Sequence, residues 1–436
     1  MTPDILSLII FGICVVLFIS NKLPTALTAL MGLIAMVLFN VVTYSQGFKH
    51  FADSIIVLIC AMMVVGRATF DTGLAQLVGN KVISLAKGKE RLIVIFGTLI
   101  TGLISAFLSN IATLSIMISI MTSVCSSNKK VRFMNVIMPV AMAAVIGGAA
   151  TLVGSTTQLT GQGILESYVG QGNGFDFFTF MIPGFTILGV LVLYVGFIGY
   201  PLGKKIWGNR PEYEKSPVEN EEENMDIVEP NKSKMVIMAV IFVLTIILFV
   251  ITDVVKTVIP NFSITMVSLL AACACVLTGC ITHKNAIKSV NWNLTIWFCS
   301  SLGIAEGLNV SGGGALLARW FIGLFGTNMS AFTLFAAFVI FVILLTQFLS
   351  NSTVLTIALP IAIPLTMELG YNTFAFAVGM IMAAAMAVAT PLANTTIGMS
   401  MVANYKFSDY LKYAGPATLI SCILILMLIP LLWPLV

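Results

Sequence analysis

"SAFLSNIATLSIM", residues 105–117, and "TQFLSNSTVLTIA", residues 346–358, say nearly the same thing 241 residues apart. Each sets a Ser-Asn pair (Ser109-Asn110, Ser350-Asn351) inside a long apolar run, behind Phe-Leu, with a hydroxyl residue (Ser105, Thr346) four positions earlier. Each interrupted run, near 91–125 and 330–366, is about 35 residues long, too long for one membrane span of about 20 residues and short for two spans and a turn. A re-entrant helical hairpin fits that length. Its turn must be buried in protein or line a wet cavity, because free backbone groups in hydrocarbon cost several kcal/mol each.

The rest of the chain supports a membrane reading. Of 436 residues, 58% are apolar and 9% charged, where a soluble domain carries roughly a quarter charged. Mean hydropathy is +1.04. Apolar runs of about 18 residues or more recur throughout, the pattern of an all-α polytopic protein of the cell membrane. The first run, Ile5 to Ile19, lacks the flanks of a signal peptide and reads as a retained helix. Nearly all eight cysteines lie in apolar runs, where they act as small hydrophobes. His50 and His283 each stand alone in sequence, and read as loop residues. No His/Cys/Asp/Glu cluster has ligand or triad spacing, which argues against an enzyme and against a sulfur-bound metal. Nucleic acid is not an expected partner; membrane lipid and a small anion are.

Eight of the 18 acidic residues fall in "PEYEKSPVENEEENMDIVEP", residues 211–230, which reads as a solvated tether. The tether, 204–233, separates residues 1–203 from 234–436. Each half contains five long apolar runs plus one interrupted run, so the expected fold is two repeats of five transmembrane helices and one re-entrant hairpin. An odd number of crossings makes the two repeats inverted. With both termini outside, 18 of the 22 Lys and Arg fall inside, and the tether is cytoplasmic. Trp207, Trp292, Trp320 and Trp433 sit near run ends, as interface anchors do.

Inverted repeats with paired interruptions point to a secondary transporter whose site lies near the midplane. Two hairpin tips offer helix N-termini, hydroxyls and Asn amides to an anion, and carbonyl oxygens to a hard cation such as sodium. The next run of each half carries a second break, "GGAATLVGSTTQ" (147–158) and "AVATPLANTTIG" (387–398). Gly and Pro there unwind a helix. Internal alignment leaves two registers open, Gly154 against Ala389 or Thr151 against Thr390.

With these residues in view, the chain resembles the divalent anion:sodium symporter (DASS) family of the ion transporter superfamily. The tips Ser109-Asn110-Ile111 and Ser350-Asn351-Ser352 correspond to that family's Ser-Asn-Thr. The breaks Gly154-Ser155-Thr156 and Ala389-Thr390-Pro391 correspond to its Gly/Ala-Ser/Thr-Pro, which selects the first register. The resemblance implies one sodium site at Ser105, Ser109, Asn110 and Gly154, and another at Thr346, Leu349, Asn351 and Ala389. It implies substrate contacts from Ser109, Asn110, Ser155, Thr156, Ser350, Asn351, Ser352, Thr390 and Pro391. It also implies a homodimer, an elevator motion and sodium as coupling ion, with no organic cofactor. The expected cargo is a C4-dicarboxylate (succinate, malate, fumarate) or citrate. The alternatives are a sodium-independent dicarboxylate exchanger, a sulfate or other inorganic anion transporter, and, from another class, an anion channel. Ile111 and Thr156 depart from the family pattern, by a lost hydroxyl and a lost proline.

Four charges fall within or at the ends of runs: Arg67, Asp71, Glu306 and Arg319. Charges inside a membrane are functional candidates by default, and structural pairing or snorkelling is the favoured reading of these four. Neither tip nor break carries a carboxylate, which suits an anionic substrate travelling with cations.

Overall fold

The computed structural model describes residues 2–436 except 21, 75–76, 78–85, 87, 129, 171, 209, 211–231, 257, 260–261, 326–328 and 393. Most of the acidic tether lies outside the described residues, as do Lys81, Lys87, Lys129 and Lys215 of the positive-inside count. All regular secondary structure among the described residues is helical. Among the described residues, five helical stretches are long and apolar enough to cross a membrane: Tyr44–Asp71, Met181–Trp207, Lys232–Val250, Asn351–Leu369 and Phe407–Leu432.

In the first half, α1 (Pro3–Ser20), α2 (Thr25–Leu38) and α3 (Ser54–Asp71) precede α4 (Glu90–Ser105), α5 (Asn110–Ser127), α6 (Phe133–Gly148), α7 (Thr156–Val169) and α8 (Met181–Tyr194). A π-turn, Val195–Gly199, joins α8 to a last helix, Tyr200–Trp207. The second half contains α9 (Lys232–Val250), α10 (Ile264–Leu277), α11 (Trp292–Val310), α12 (Gly313–Phe325), α13 (Ala331–Thr346), α14 (Asn351–Leu369), α15 (Thr373–Ala384), α16 (Thr395–Met399) and α17 (Phe407–Leu432).

Sequence pattern decides which face each helix buries. In α13 the buried set is Ala331, Leu334, Phe335, Phe338, Val339, Val342, Ile343 and Thr346, a single 3.6-period stripe. α6 and α15 are buried almost all round, as core helices of a membrane bundle are. They form the centre, α6 against α4 and α5, α15 against α13 and α14. α2 and α11 pack together outside this centre, and α3, α9 and α10 share a smaller apolar cluster around Val65, Met238 and Cys275. Close approach of α4 and α6 depends on glycine: a Cβ at Gly147 would lie 2.2 Å from the Gly102 carbonyl oxygen.

The charges at run ends are paired: Arg67 with Asp71 at 2.7 Å, Arg319 with Glu368 at 3.0 Å, and Glu306 with Lys49 at 2.7 Å. Two sequence expectations fail. Trp207 is no interface anchor; it is fully buried, 5.0 Å from the rings of Tyr405 and Tyr413. His50 is not a loop residue standing alone. It is the buried residue of an otherwise exposed one-turn helix, Lys49–Ala52, and lies beside Asp53 and Glu306. Each error involves partners far along the chain, Tyr405 and Tyr413 for Trp207 and Glu306 for His50.

Candidate functional site

The two Ser-Asn stretches fold alike. α4 stops at Ser105 and α5 starts at Asn110; α13 stops at Thr346 and α14 starts at Asn351. The N-cap serines have nearly the same backbone, φ −54 and ψ 131 at Ser109, φ −61 and ψ 142 at Ser350. Both turns close through the same hydrogen bond: Leu108 N–H donates to the Ile104 carbonyl at 3.1 Å, Leu349 N–H to the Leu345 carbonyl at 3.0 Å.

Behind each turn lies the same polar cluster. Ser105 Oγ lies 2.6 Å from the Ala144 carbonyl and 2.9 Å from Asn110 Oδ1. Thr346 Oγ1 lies 3.0 Å from the Ala384 carbonyl and 3.1 Å from Asn351 Oδ1. Ser105 and Thr346 are fully buried. At Thr346 one hydroxyl proton faces two acceptors and cannot serve both fully, so that cluster holds more oxygens than protons. At Asn110 the same amide edge also lies 3.2 Å from the Gly154 carbonyl, and hydrogen bonding there is satisfied with Nδ2 on that edge. With Nδ2 on that edge the amide's two protons are shared among three neighbours, Ser105 Oγ and the Ala144 and Gly154 carbonyls. With Oδ1 there, four oxygens converge, an arrangement that a hard cation satisfies. Gly148 makes room for this amide: a Cβ there would lie 2.1 Å from Asn110 Oδ1.

The second breaks are real. α6 ends at Gly148 and α7 begins at Thr156; α15 ends at Ala384 and α16 begins at Thr395. Their register is a correction to the one chosen from family resemblance. Thr151 Oγ1 donates to the Ala106 carbonyl, and Thr390 Oγ1 to the Gln347 carbonyl. Ala106 follows Ser105 as Gln347 follows Thr346, so Thr151 and Thr390 are the matched pair. Gly154 keeps its carbonyl beside Asn110 all the same. Sequence reasoning also missed Gln347. Its Nε2 donates to the Ile343 and Met386 carbonyls, at 3.0 and 3.2 Å, and its Oε1 accepts from Ala389 N–H at 2.9 Å. It clamps the second break onto the turn. The first half has Ala106 there, and Gln158 Nε2 donates to the Ala149 carbonyl at 3.2 Å instead.

The remaining expected residues divide by what holds them. Ser155 caps α7 through Thr157 N–H at 3.3 Å, and Ser350 caps α14 through Thr353 N–H at 3.3 Å. Ser109 makes no such cap, so its exposed hydroxyl and the first N–H groups of α5 are available to a ligand. Ser352, Thr156 and Pro391 are half-buried, Asn351 and Thr390 buried. α7 packs along α14. Near their C-terminal ends, Tyr168 and Pro364 line one cavity with Asn309 and Glu368, so the two helices run parallel. Thr156 and Asn351 stand about 18 and 20 Å back along their axes, which sets both N-termini at one level. In the same manner α16 packs on α5. Each half thus packs the helix after its break against the helix that follows the Ser-Asn turn of the other.

Comparisons with known proteins find membrane transporters. A family model described as a citrate transporter matches residues 15–331 and 257–434. An uncharacterized transporter of Haemophilus influenzae is 26% identical over 94% of this chain and 88% of its own length. One from Synechocystis is 29% identical over 45% of this chain, a match spanning only 30% of that protein. A sodium-dependent dicarboxylate transporter of Staphylococcus aureus is 23% identical over 70% of this chain and 61% of its length. Among solved structures, the Alcanivorax borkumensis YdaH transporter has a similar fold, with TM-score 0.66 and 16% identity over 91% of this chain and 89% of that one. Neisseria gonorrhoeae MtrF has TM-score 0.63 and 13% identity over 98% and 94%.

Proposed function

The chain belongs to the citrate transporter family, an integral membrane transporter group related to the DASS symporters, and from that premise we propose that it carries a C4-dicarboxylate or citrate together with sodium. The observation that carries the reading is the twin cluster of hydroxyl, asparagine and carbonyl behind the two tips. The second has surplus oxygens for a cation, the first gains the same set when Asn110 turns Oδ1 inward, and in front of the first lie uncapped N–H groups and the exposed Ser109 hydroxyl for a carboxylate. Sodium is held by Ser105, Asn110 and Gly154 on one side and by Thr346 and Asn351 on the other. The Ala144 and Ala384 carbonyls join them. Ser109, Ser352, Thr156 and Thr390 meet the substrate. A neutral site of this kind balances the anion with the cations that accompany it.

The two halves are inverted repeats in this proposal, and α4–α5 and α13–α14 are re-entrant hairpins. Supporting this, α4 and α13 have 16 residues each, about 24 Å of helix, short of a hydrocarbon core of about 30 Å. Both termini face outside, the tether is cytoplasmic, and two copies form a dimer in which the hairpin-bearing domain moves. The dicarboxylate transporter among the relatives supports the choice of cargo.

The test is uptake of labelled succinate, malate and citrate into proteoliposomes. An inward sodium gradient should drive accumulation with no internal anion, and potassium should not replace it. Strict dependence on internal dicarboxylate assigns the chain to exchange instead, and non-saturating flux assigns it to a channel.

A further inference from the structure

The two breaks close in different ways. Counted back from the matched threonines, Gly147 corresponds to Met386 and Ala150 to Ala389. In the first break Ala150 N–H donates straight to the Gly147 carbonyl at 2.9 Å. In the second, the Gln347 side chain stands between the two matching groups. Ala389 N–H donates to Gln347 Oε1 at 2.9 Å, and Gln347 Nε2 donates to the Met386 carbonyl at 3.2 Å. Gln347 is 7% exposed, so the bridge lies in the interior, where unpaired polar groups are costly. The helices before the breaks differ accordingly. α6 continues to Gly148, three residues before Thr151, whereas α15 stops at Ala384, six residues before Thr390. This changes the carbonyls of the two clusters. Ala144 lies inside α6, where the helical pattern gives its carbonyl the Gly148 N–H. The Ser105 hydroxyl engages its other lone pair. Ala384 is the last residue of α15, and Val388 N–H donates to the Met386 carbonyl at 3.0 Å instead. Among the described residues no backbone N–H donates to the Ala384 carbonyl, which faces only the shared Thr346 hydroxyl. It keeps a lone pair open for a cation.

We propose, resting on the sodium reading above, that Gln347 is a positioning residue that makes the two cation sites unequal. By holding the second break open it frees the Ala384 carbonyl and prepares the second cluster before any ligand arrives. The first half has Ala106 in place of Gln347, and its break closes on itself. Its cluster is satisfied until Asn110 turns Oδ1 inward. That turn swings Nδ2 out of the cluster, where it donates to an anion at the exposed Ser109 hydroxyl. Sodium therefore enters the second cluster first, and the anion completes the first. Gln347 touches neither ion nor substrate; it acts through the backbone of residues 384–389.

The experiment follows thermal unfolding of the full chain, purified in detergent without anion, as sodium chloride replaces choline chloride. Gln347→Met keeps the length of the side chain and removes both bonds across the break. It should raise the sodium half-saturation about 10-fold. In a Thr346→Val background, where the second cluster is already impaired, it should add less than about 2-fold. In a Ser105→Ala background it should act in full, because the first cluster is a separate site. A merely structural role lowers the unfolding temperature alike at every sodium concentration and leaves the half-saturation in place. An unchanged half-saturation, or an undiminished effect in the Thr346→Val background, overturns the proposal. A wild type that does not respond to sodium overturns the sodium reading itself. If Gln347→Met does not fold, the wild type still decides. A cryo-electron microscopy map in sodium without anion should show a cation peak behind Asn351 and none behind Asn110. Any other pattern overturns the proposal.

Discussion

Replacing Thr346 with valine removes one hydroxyl and almost no volume. That hydroxyl is fully buried and lies 3.0 Å from the Ala384 carbonyl and 3.1 Å from Asn351 Oδ1. If this oxygen helps hold a cation, its loss removes an interaction with a charge, worth about 1.5–3 kcal/mol. Sodium half-saturation should therefore rise about 10- to 150-fold, and uptake should recover at high sodium. Sodium-dependent uptake in proteoliposomes and sodium-dependent thermal stabilisation read the same quantity in two ways. Thr366→Val is the matched control. Thr366 is equally buried, and its hydroxyl donates to the Ile363 carbonyl at 2.9 Å and Thr373 Oγ1 at 3.0 Å, away from the tips. It should lower thermal stability about as much and leave sodium half-saturation unchanged. Equal sodium affinity in wild type and a folded Thr346→Val protein would refute the reasoning, and so would a matching loss in Thr366→Val.

Asn110→Ala and Asn351→Ala should each abolish uptake while the protein still elutes as a folded species by size-exclusion chromatography; wild-type uptake in either removes the site assignment. Gly148→Ala puts a Cβ 2.1 Å from Asn110 Oδ1, so it should displace that amide and weaken sodium binding at least 10-fold, the cost of about 1.4 kcal/mol, measured by sodium-dependent thermal shift. Ile111 is 46% exposed at the first turn of α5, where the other tip has Ser352; Ile111→Thr should change the ranking of dicarboxylates, citrate and sulfate in competition uptake, and an unchanged ranking counts against a role in selection.

The tips were legible because their defining contacts are local. Ser105 and Asn110, or Thr346 and Asn351, are five residues apart, so a repeated spacing in sequence became a repeated geometry. What stayed hidden was nonlocal or lacked a side-chain signature. The Ala144 and Ala384 carbonyls belong to alanines that differ in nothing from their neighbours. The register of the second breaks misled because both Gly154 and Thr151 touch the first turn, and only the hydrogen bond to Ala106 pairs Thr151 with Thr390. Gln347 has no polar counterpart at Ala106, so internal repetition gave it no weight. The Lys49–His50–Glu306 group joins residues up to 257 positions apart, beyond any local pattern. Trp207 followed a rule about run ends that its two tyrosine neighbours override.

The central claim is that both tips hold one anion between them. It is tested most directly by a cryo-electron microscopy map of the protein in lipid nanodiscs with sodium and the best-transported anion. The account predicts ligand density within hydrogen-bonding reach of both the Ser109-Asn110 and Ser350-Asn351 tips, with a cation peak behind each asparagine. Density at one tip alone, or elsewhere in the bundle with both clusters closed on themselves, would contradict it.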